Sequence, residues 1–168
     1  MPFGIGVVGA GVIGQLRAAA VRANPATRLI GVVDPVPAAA QRAAAGSGAR
    51  VLAEQRQLLE LPDLDAVIVS SPVHHHEEGS LAALAAGKHV LCEKPLSNSA
   101  ESCRRIYQAA RTAGCVLATG FNHRYYPAIK FVKQALSGGS ARTTFVVGAL
   151  LFPLFPIPQF VVELLPRN

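Results

Sequence analysis

The chain of 168 residues has no Trp, a single Met and three Cys, and only 15% of it is charged. Each shortage excludes something. Cys92, Cys103 and Cys115 are odd in number and form no CxxC pair. Neither a disulfide framework nor a cysteine-held zinc site is therefore indicated, and three reduced thiols in a cytoplasmic protein are expected. Aromatics make up 6%, and apart from the adjacent Arg104 and Arg105 the cations are scattered singly. The formal net charge of +6 thus has no basic stripe with interleaved aromatics behind it, and no nucleic-acid partner is expected. No cation precedes Arg17, so the apolar N-terminus lacks the basic opening of a signal peptide. Low charge combined with 51% hydrophobic residues excludes disorder as the general state. The length suffices for one domain with a real core, or for one domain and a fragment of another.

What is present alternates. Short apolar runs at Gly4–Gly9, Arg28–Asp34, Ala49–Leu52, Asp65–Ser70, His89–Cys92 and Val116–Thr119 read as strands. Between them, Gly11–Asn24, Pro37–Ala45, Glu54–Leu61, His75–Ala86 and Asn98–Ala113 read as helices, the last two stopped by Gly87 and Gly114. The strands are continuous runs rather than alternations, which implies burial on both faces. Strands separated by helices then imply an α/β protein with a doubly wound parallel sheet. The Ala-rich helices suit close packing on such a sheet.

Gly9-Ala10-Gly11-Val12-Ile13-Gly14 fits the G-x-G-x-x-G pattern, after a strand and at the start of a helix. Gly9 allows the tight turn, Gly11 lets backbone approach a pyrophosphate, and Gly14 lets helix and strand pack closely. Asp34 ends the next apolar run, 20 residues after Gly14. A carboxylate there can accept from both ribose hydroxyls and would repel a 2′-phosphate, which favours NAD over NADP as cofactor. The bland alternative is a simple turn, with Asp34 capping the next helix.

Three later segments are distinctive: Ser71-Pro72-Val73-His74-His75-His76, the run Ala86-Gly87-Lys88-His89-Val90-Leu91-Cys92-Glu93-Lys94-Pro95, and Gly120-Phe121-Asn122-His123-Arg124-Tyr125-Tyr126-Pro127-Ala128. With the glycine turn, they resemble the glucose–fructose oxidoreductase / inositol dehydrogenase / rhizopine-catabolism (Gfo/Idh/MocA) family, from about residue 3 to about residue 139. The resemblance implies a Rossmann NAD-binding domain and NAD(P)-dependent oxidation or reduction of sugars, inositols and related hydroxy compounds. It implies a cofactor cleft lined by Ser70, Ser71 and Pro72, with His76 nearby. It makes Glu93 and Lys94 members of a Glu-Lys-Pro motif, with Lys94 the catalytic lysine, and brings Asn122 and Arg124 to the nicotinamide side. In an extended segment the side chains of Glu93 and Lys94 should point to opposite sides. The partner expected is a small polyol or sugar. The rival reading is a non-catalytic dinucleotide-binding module or sensor.

His74, His75 and His76 are not expected to hold a metal. Consecutive residues converge poorly on one ion, and no ligand cluster at suitable spacing supports them. Residues 1–120 are expected to form the cofactor domain. Residues 121–168 are expected to be the truncated beginning of the family's α+β second domain, with Ile129–Leu136 helical and Phe145–Phe152 a strand. That second domain would supply substrate contacts, a catalytic base and the surface for a homo-oligomer. From Thr143 to Val162 no residue is charged, but Pro153, Pro156 and Pro158 argue against a membrane helix. The sequence thus suggests a truncated or frame-shifted form of a longer oxidoreductase.

Overall fold

The computed structural model describes residues 1–137 and divides into two units, the first Met1–Phe121 and the second starting at Asn122. The tail after residue 137, including the strand expected at Phe145–Phe152, lies outside the described residues. The first unit alternates strand and helix. Its elements are β1 (Phe3–Val8), α1 (Val12–Ala23), β2 (Thr27–Val33), α2 (Pro37–Ala44), β3 (Arg50–Leu52), α3 (Gln55–Leu59), β4 (Ala66–Val69), α4 (His76–Ala85), β5 (His89–Cys92), α5 (Ala100–Ala113) and β6 (Leu117–Thr119). All strand pairs are parallel, in the order β3-β2-β1-β4-β5-β6. The chain builds outward from β1 to β3 and then returns to the other side of β1 with β4. Crevices between such oppositely directed halves lie at the carboxyl ends of the strands, where ligands bind.

Both faces of the sheet are covered. One face carries Val67, Val69, Val90 and Cys92 and packs against Leu58, Leu84 and Ile106 of α3, α4 and α5. The other carries Val7, Leu29, Val32 and Ile68 and packs against Ala18 and Val21 of α1 and Ala39, Ala40 and Ala43 of α2. Along β4, Val67, Ile68 and Val69 alternate between the two layers, as successive strand residues must. This explains the uninterrupted apolar run. The alanines leave little bulk between helix and sheet, so α1 and α2 lie close to the strands.

One packing detail involves two glycines that pair across β1 and β2. Gly6 is in register with Gly31, and a Cβ built on either would come 2.7–2.8 Å from the methyl groups of Leu58. Leu58, fully buried, fills the notch that the missing side chains leave.

Local signals set the helix ends. Ser99 caps α5, its hydroxyl accepting from the Ser102 amide at 3.1 Å, and Gly114 closes the helix at φ +63. Ser99→Ala is expected to cost about 1 kcal/mol of stability, read from denaturant midpoints. The helix expected from His75 instead starts at His76, because Val73–His75 form a 3-10 turn. Glu77 and Glu78 occupy the first turn of α4. Glu77 receives Arg105 of α5 at 2.6 Å, and this hydrogen bond holds its carboxyl below the usual range.

In the second unit, Asn122–Tyr125 form a 3-10 turn and Pro127–Ser137 form α6. Pro127 starts the helix, where a missing N–H costs nothing. Among the described residues, no helix is long and apolar enough to cross a membrane.

Candidate cofactor and substrate site

Chemistry-bearing residues gather at the carboxyl ends of β1, β2, β4 and β5. β1 ends at Val8, and Gly9 turns the chain at φ +88, a region that L side chains rarely adopt. A Cβ there would lie 2.5 Å from the Ser71 amide nitrogen. Gly11 sits at the N-cap of α1, which no side chain caps. A Cβ on Gly11 would meet nothing within 4 Å. Gly14 is the opposite case: its Cβ would overlap the Gly9 carbonyl and come 2.9 Å from Ser70 Oγ. Thus Gly14 is a glycine for the protein's own packing, whereas Gly11 keeps a space open. Val12 and Ile13 are exposed beside that space.

Asp34 follows β2 directly and fastens the turn. Its Oδ2 accepts from the Ala10 amide at 2.6 Å and its Oδ1 from the Val36 amide at 2.8 Å. Each carboxylate oxygen has a further lone pair, so both can still accept from a ligand. Asp34 does not cap α2, whose N-cap is Val36.

After β4, Ser70 Oγ donates to the Gly9 carbonyl at 2.7 Å. Ser71 Oγ is buried without a hydrogen-bond partner. Pro72 is exposed at the start of the 3-10 turn. Three features of this chain fit a dinucleotide: the open space at Gly11, the uncapped N-terminus of α1 with its positive dipole end, and the orphaned Ser71 hydroxyl. Gly9–Gly14 would hold the phosphates, Asp34 the adenosine ribose, and Ser70–Pro72 the wall of the cleft.

His76 was expected beside the cofactor. Its ring is 2% exposed and lies between two carbonyl oxygens, Ser71 O and Pro95 O, each 2.8 Å from a ring nitrogen; the single N–H of a neutral imidazole donates to one of them. The ring is thus packed between the end of β4 and the segment that carries Lys94. The three consecutive histidines diverge: His76 is buried, whereas His74 and His75 are exposed and in ring contact with each other.

Glu93 and Lys94 follow the end of β5 at Cys92, where the chain bends instead of continuing as a strand. Lys94 is exposed, while Glu93 is buried at 7%. Glu93 Oε1 receives both Nε and Nη2 of Arg17, at 2.6 and 2.5 Å. Its Oε2 accepts from the Lys94 amide at 3.3 Å. Gly120 lies against the same carboxylate: a Cβ there would be 2.7 Å from Oε2. Arg17 is the site residue that sequence reasoning missed. It lies 76 residues from Glu93, and the one hint was a cation in the first half of an Ala-rich helix. Asn122 and Arg124 are exposed in the 3-10 turn of the second unit.

Beneath Glu93, Cys92 is fully buried and its thiol is pushed up from the ordinary 9.0 to about 11, chiefly by burial. Between those values an unfolded chain ionises its thiol while the folded chain cannot, so stability should fall as pH rises through that window. Alkylation at about pH 8 is expected to modify Cys103 and Cys115 well before Cys92, as resolved by peptide mass spectrometry.

Known proteins resemble this chain in sequence and fold. A family model described as an oxidoreductase family with an NAD-binding Rossmann fold matches residues 3–121. The inositol 2-dehydrogenase of Ralstonia nicotianae is 39% identical over 144 residues, which are 83% of this chain and 43% of that protein. The crystal structure of GenD2 from gentamicin A biosynthesis, in complex with NAD, is similar with a TM-score of 0.76 and 34% identity, over 83% of this chain and 39% of GenD2. KijD10, a 3-ketoreductase from Actinomadura kijaniata crystallised with NADP and TDP-benzene, gives a TM-score of 0.75 and 33% identity, over 83% of this chain and 43% of KijD10. The chain spans less than half the length of each. Strand order, glycine turn, Glu-Lys-Pro segment and the match over residues 3–121 lead to one conclusion: the chain belongs to the Gfo/Idh/MocA oxidoreductase family and carries its NAD-binding Rossmann fold.

Proposed function

We propose that this chain is the cofactor-binding part of an NAD-dependent oxidoreductase acting on a CH–OH group of a sugar, an inositol or a related polyol. The observation that carries the reading is that an open glycine turn after β1 and an exposed lysine after β5 lie at the same, carboxyl edge of the parallel sheet, with only β4 between the two strands. The names of the relatives, an inositol 2-dehydrogenase and a 3-ketoreductase, support a hydroxy or keto compound of this class as substrate.

When bound, NAD supplies the acceptor for hydride from a carbinol carbon. The chain's residues do the rest. Backbone N–H groups at the start of α1 bind phosphate oxygens, aided by the helix dipole. The Asp34 carboxylate accepts from ribose hydroxyls and repels a phosphate at the 2′ position, which favours NAD over NADP. Lys94, held exposed on a fixed segment, offers its Nζ to the substrate hydroxyl oxygen. There the neutral amine accepts the hydroxyl proton as hydride leaves the carbon for NAD, the ammonium so formed faces the carbonyl oxygen of the product, and the proton then passes to solvent.

NADH fluorescence titration followed by a screen of inositols and sugars tests the reading. Binding with turnover is the expected result. Binding without turnover would favour a non-catalytic dinucleotide-binding module, and absence of binding would overturn the cofactor assignment.

A further inference from the structure

We infer that Arg17 is a positioning residue for Lys94, acting through Glu93, and that it couples the phosphate-binding helix to the lysine. The inference rests on the role given to Lys94 above.

Glu93 is a buried carboxylate, and a buried charge is costly unless it is paired and hydrogen-bonded. Arg17 meets that need with two nitrogens on one oxygen. The planar guanidinium fixes a direction as well as a charge. The other oxygen takes the Lys94 amide, so the peptide unit preceding Lys94 is held by the same carboxylate. Gly120 closes the remaining side, because its bare Cα allows the carboxylate to lie against it. On the far side of Lys94 the His76 ring packs against the Pro95 carbonyl, 2.8 Å from Nδ1. The backbone around Lys94 is therefore gripped from α1 on one side and from α4 on the other, while its side chain is exposed.

Stability alone does not call for this arrangement. Replacing a buried ion pair with packed apolar side chains is often neutral or stabilising. What the pair adds is a fixed relation between two pieces of the site. Arg17 sits one turn beyond Gly14 on the helix whose N-terminus faces the phosphates. Anything that seats the dinucleotide on α1 thereby also sets where Lys94 stands. Such support of a reactive group by neighbouring side chains is what preorganised sites require.

The test measures amine labelling of Lys94 by peptide mass spectrometry in the full chain, with and without saturating NADH. Lys88, whose Nζ donates to the Leu64 carbonyl, serves as an internal reference. In the parent chain NADH is expected to protect Lys94. In Arg17→Met, NADH is expected to bind still, by fluorescence, but the protection of Lys94 is lost. Arg17→Lys is expected to restore part of it. A merely structural role would lower the melting temperature without changing the protection ratio. If Arg17→Met fails to fold, Glu93→Gln, which keeps shape and removes charge, is read in the same way. Protection retained in a folded Arg17→Met chain would overturn this inference alone. Absence of protection in an NADH-binding parent chain would overturn both it and the role of Lys94.

Discussion

Replacing Gly11 by Val is expected to weaken NADH binding about 100-fold while changing stability by less than about 1 kcal/mol. The estimate follows from losing one or two charge-assisted hydrogen bonds from the α1 N-terminus to phosphate, about 1.5–3 kcal/mol each. A side chain at Gly11 meets no protein atom within 4 Å, so the fold should be nearly indifferent to it. Gly14→Val is the matched contrast. Its Cβ would overlap the Gly9 carbonyl, so α1 must move away from the strand, at a cost of about 3 kcal/mol. Fluorescence titration paired with denaturant unfolding separates the two. Equal destabilisation by both substitutions would refute the division of roles drawn from the turn.

Lys94→Met is expected to lower hydride transfer by about 10²–10⁴-fold, the usual contribution of a positioned proton-transfer group, with little change in NADH affinity. Lys94 is exposed and its neighbour Glu93 keeps its own partner in Arg17, so removing the amine leaves no buried charge unpaired. Lys94→Arg discriminates further. Guanidinium keeps the positive charge but cannot give up a proton. Recovery of the rate by Arg would show that charge alone suffices. Continued loss would show that Nζ moves the proton. Single-turnover kinetics with a polyol substrate found by screening would read either outcome.

The parts of the site legible in the sequence are those whose geometry is local. Gly9, Gly11 and Gly14 sit within one strand–turn–helix, so their spacing alone carries their roles. Asp34 was legible because it directly follows β2, which lies beside β1. Glu93 and Lys94 do differ in burial, but β5 ends at Cys92 and the chain bends at Lys94, so the difference comes from the turn and not from strand alternation. What could not be read depends on distant or backbone partners. Nothing in the sequence joins Arg17 to Glu93, since the sheet must form before α1 and the end of β5 become neighbours. His76 was legible as a site residue but not as a brace, because its partners are the carbonyls of Ser71 and Pro95, and carbonyl direction leaves no mark on residue identity. Likewise, the grip of Asp34 on the Ala10 and Val36 amides depends on how the turn closes.

The notch at Gly6 and Gly31 has a bearing on how such a chain can change over generations. A methyl group gained at either glycine has no room unless Leu58 gives one up. Positions on β1, β2 and α3 therefore share one volume, and a change at any of them is tolerated or rejected according to what the other two hold. Drift at these sites should be correlated rather than independent, with bulk passing back and forth between strand and helix while the sheet keeps its spacing.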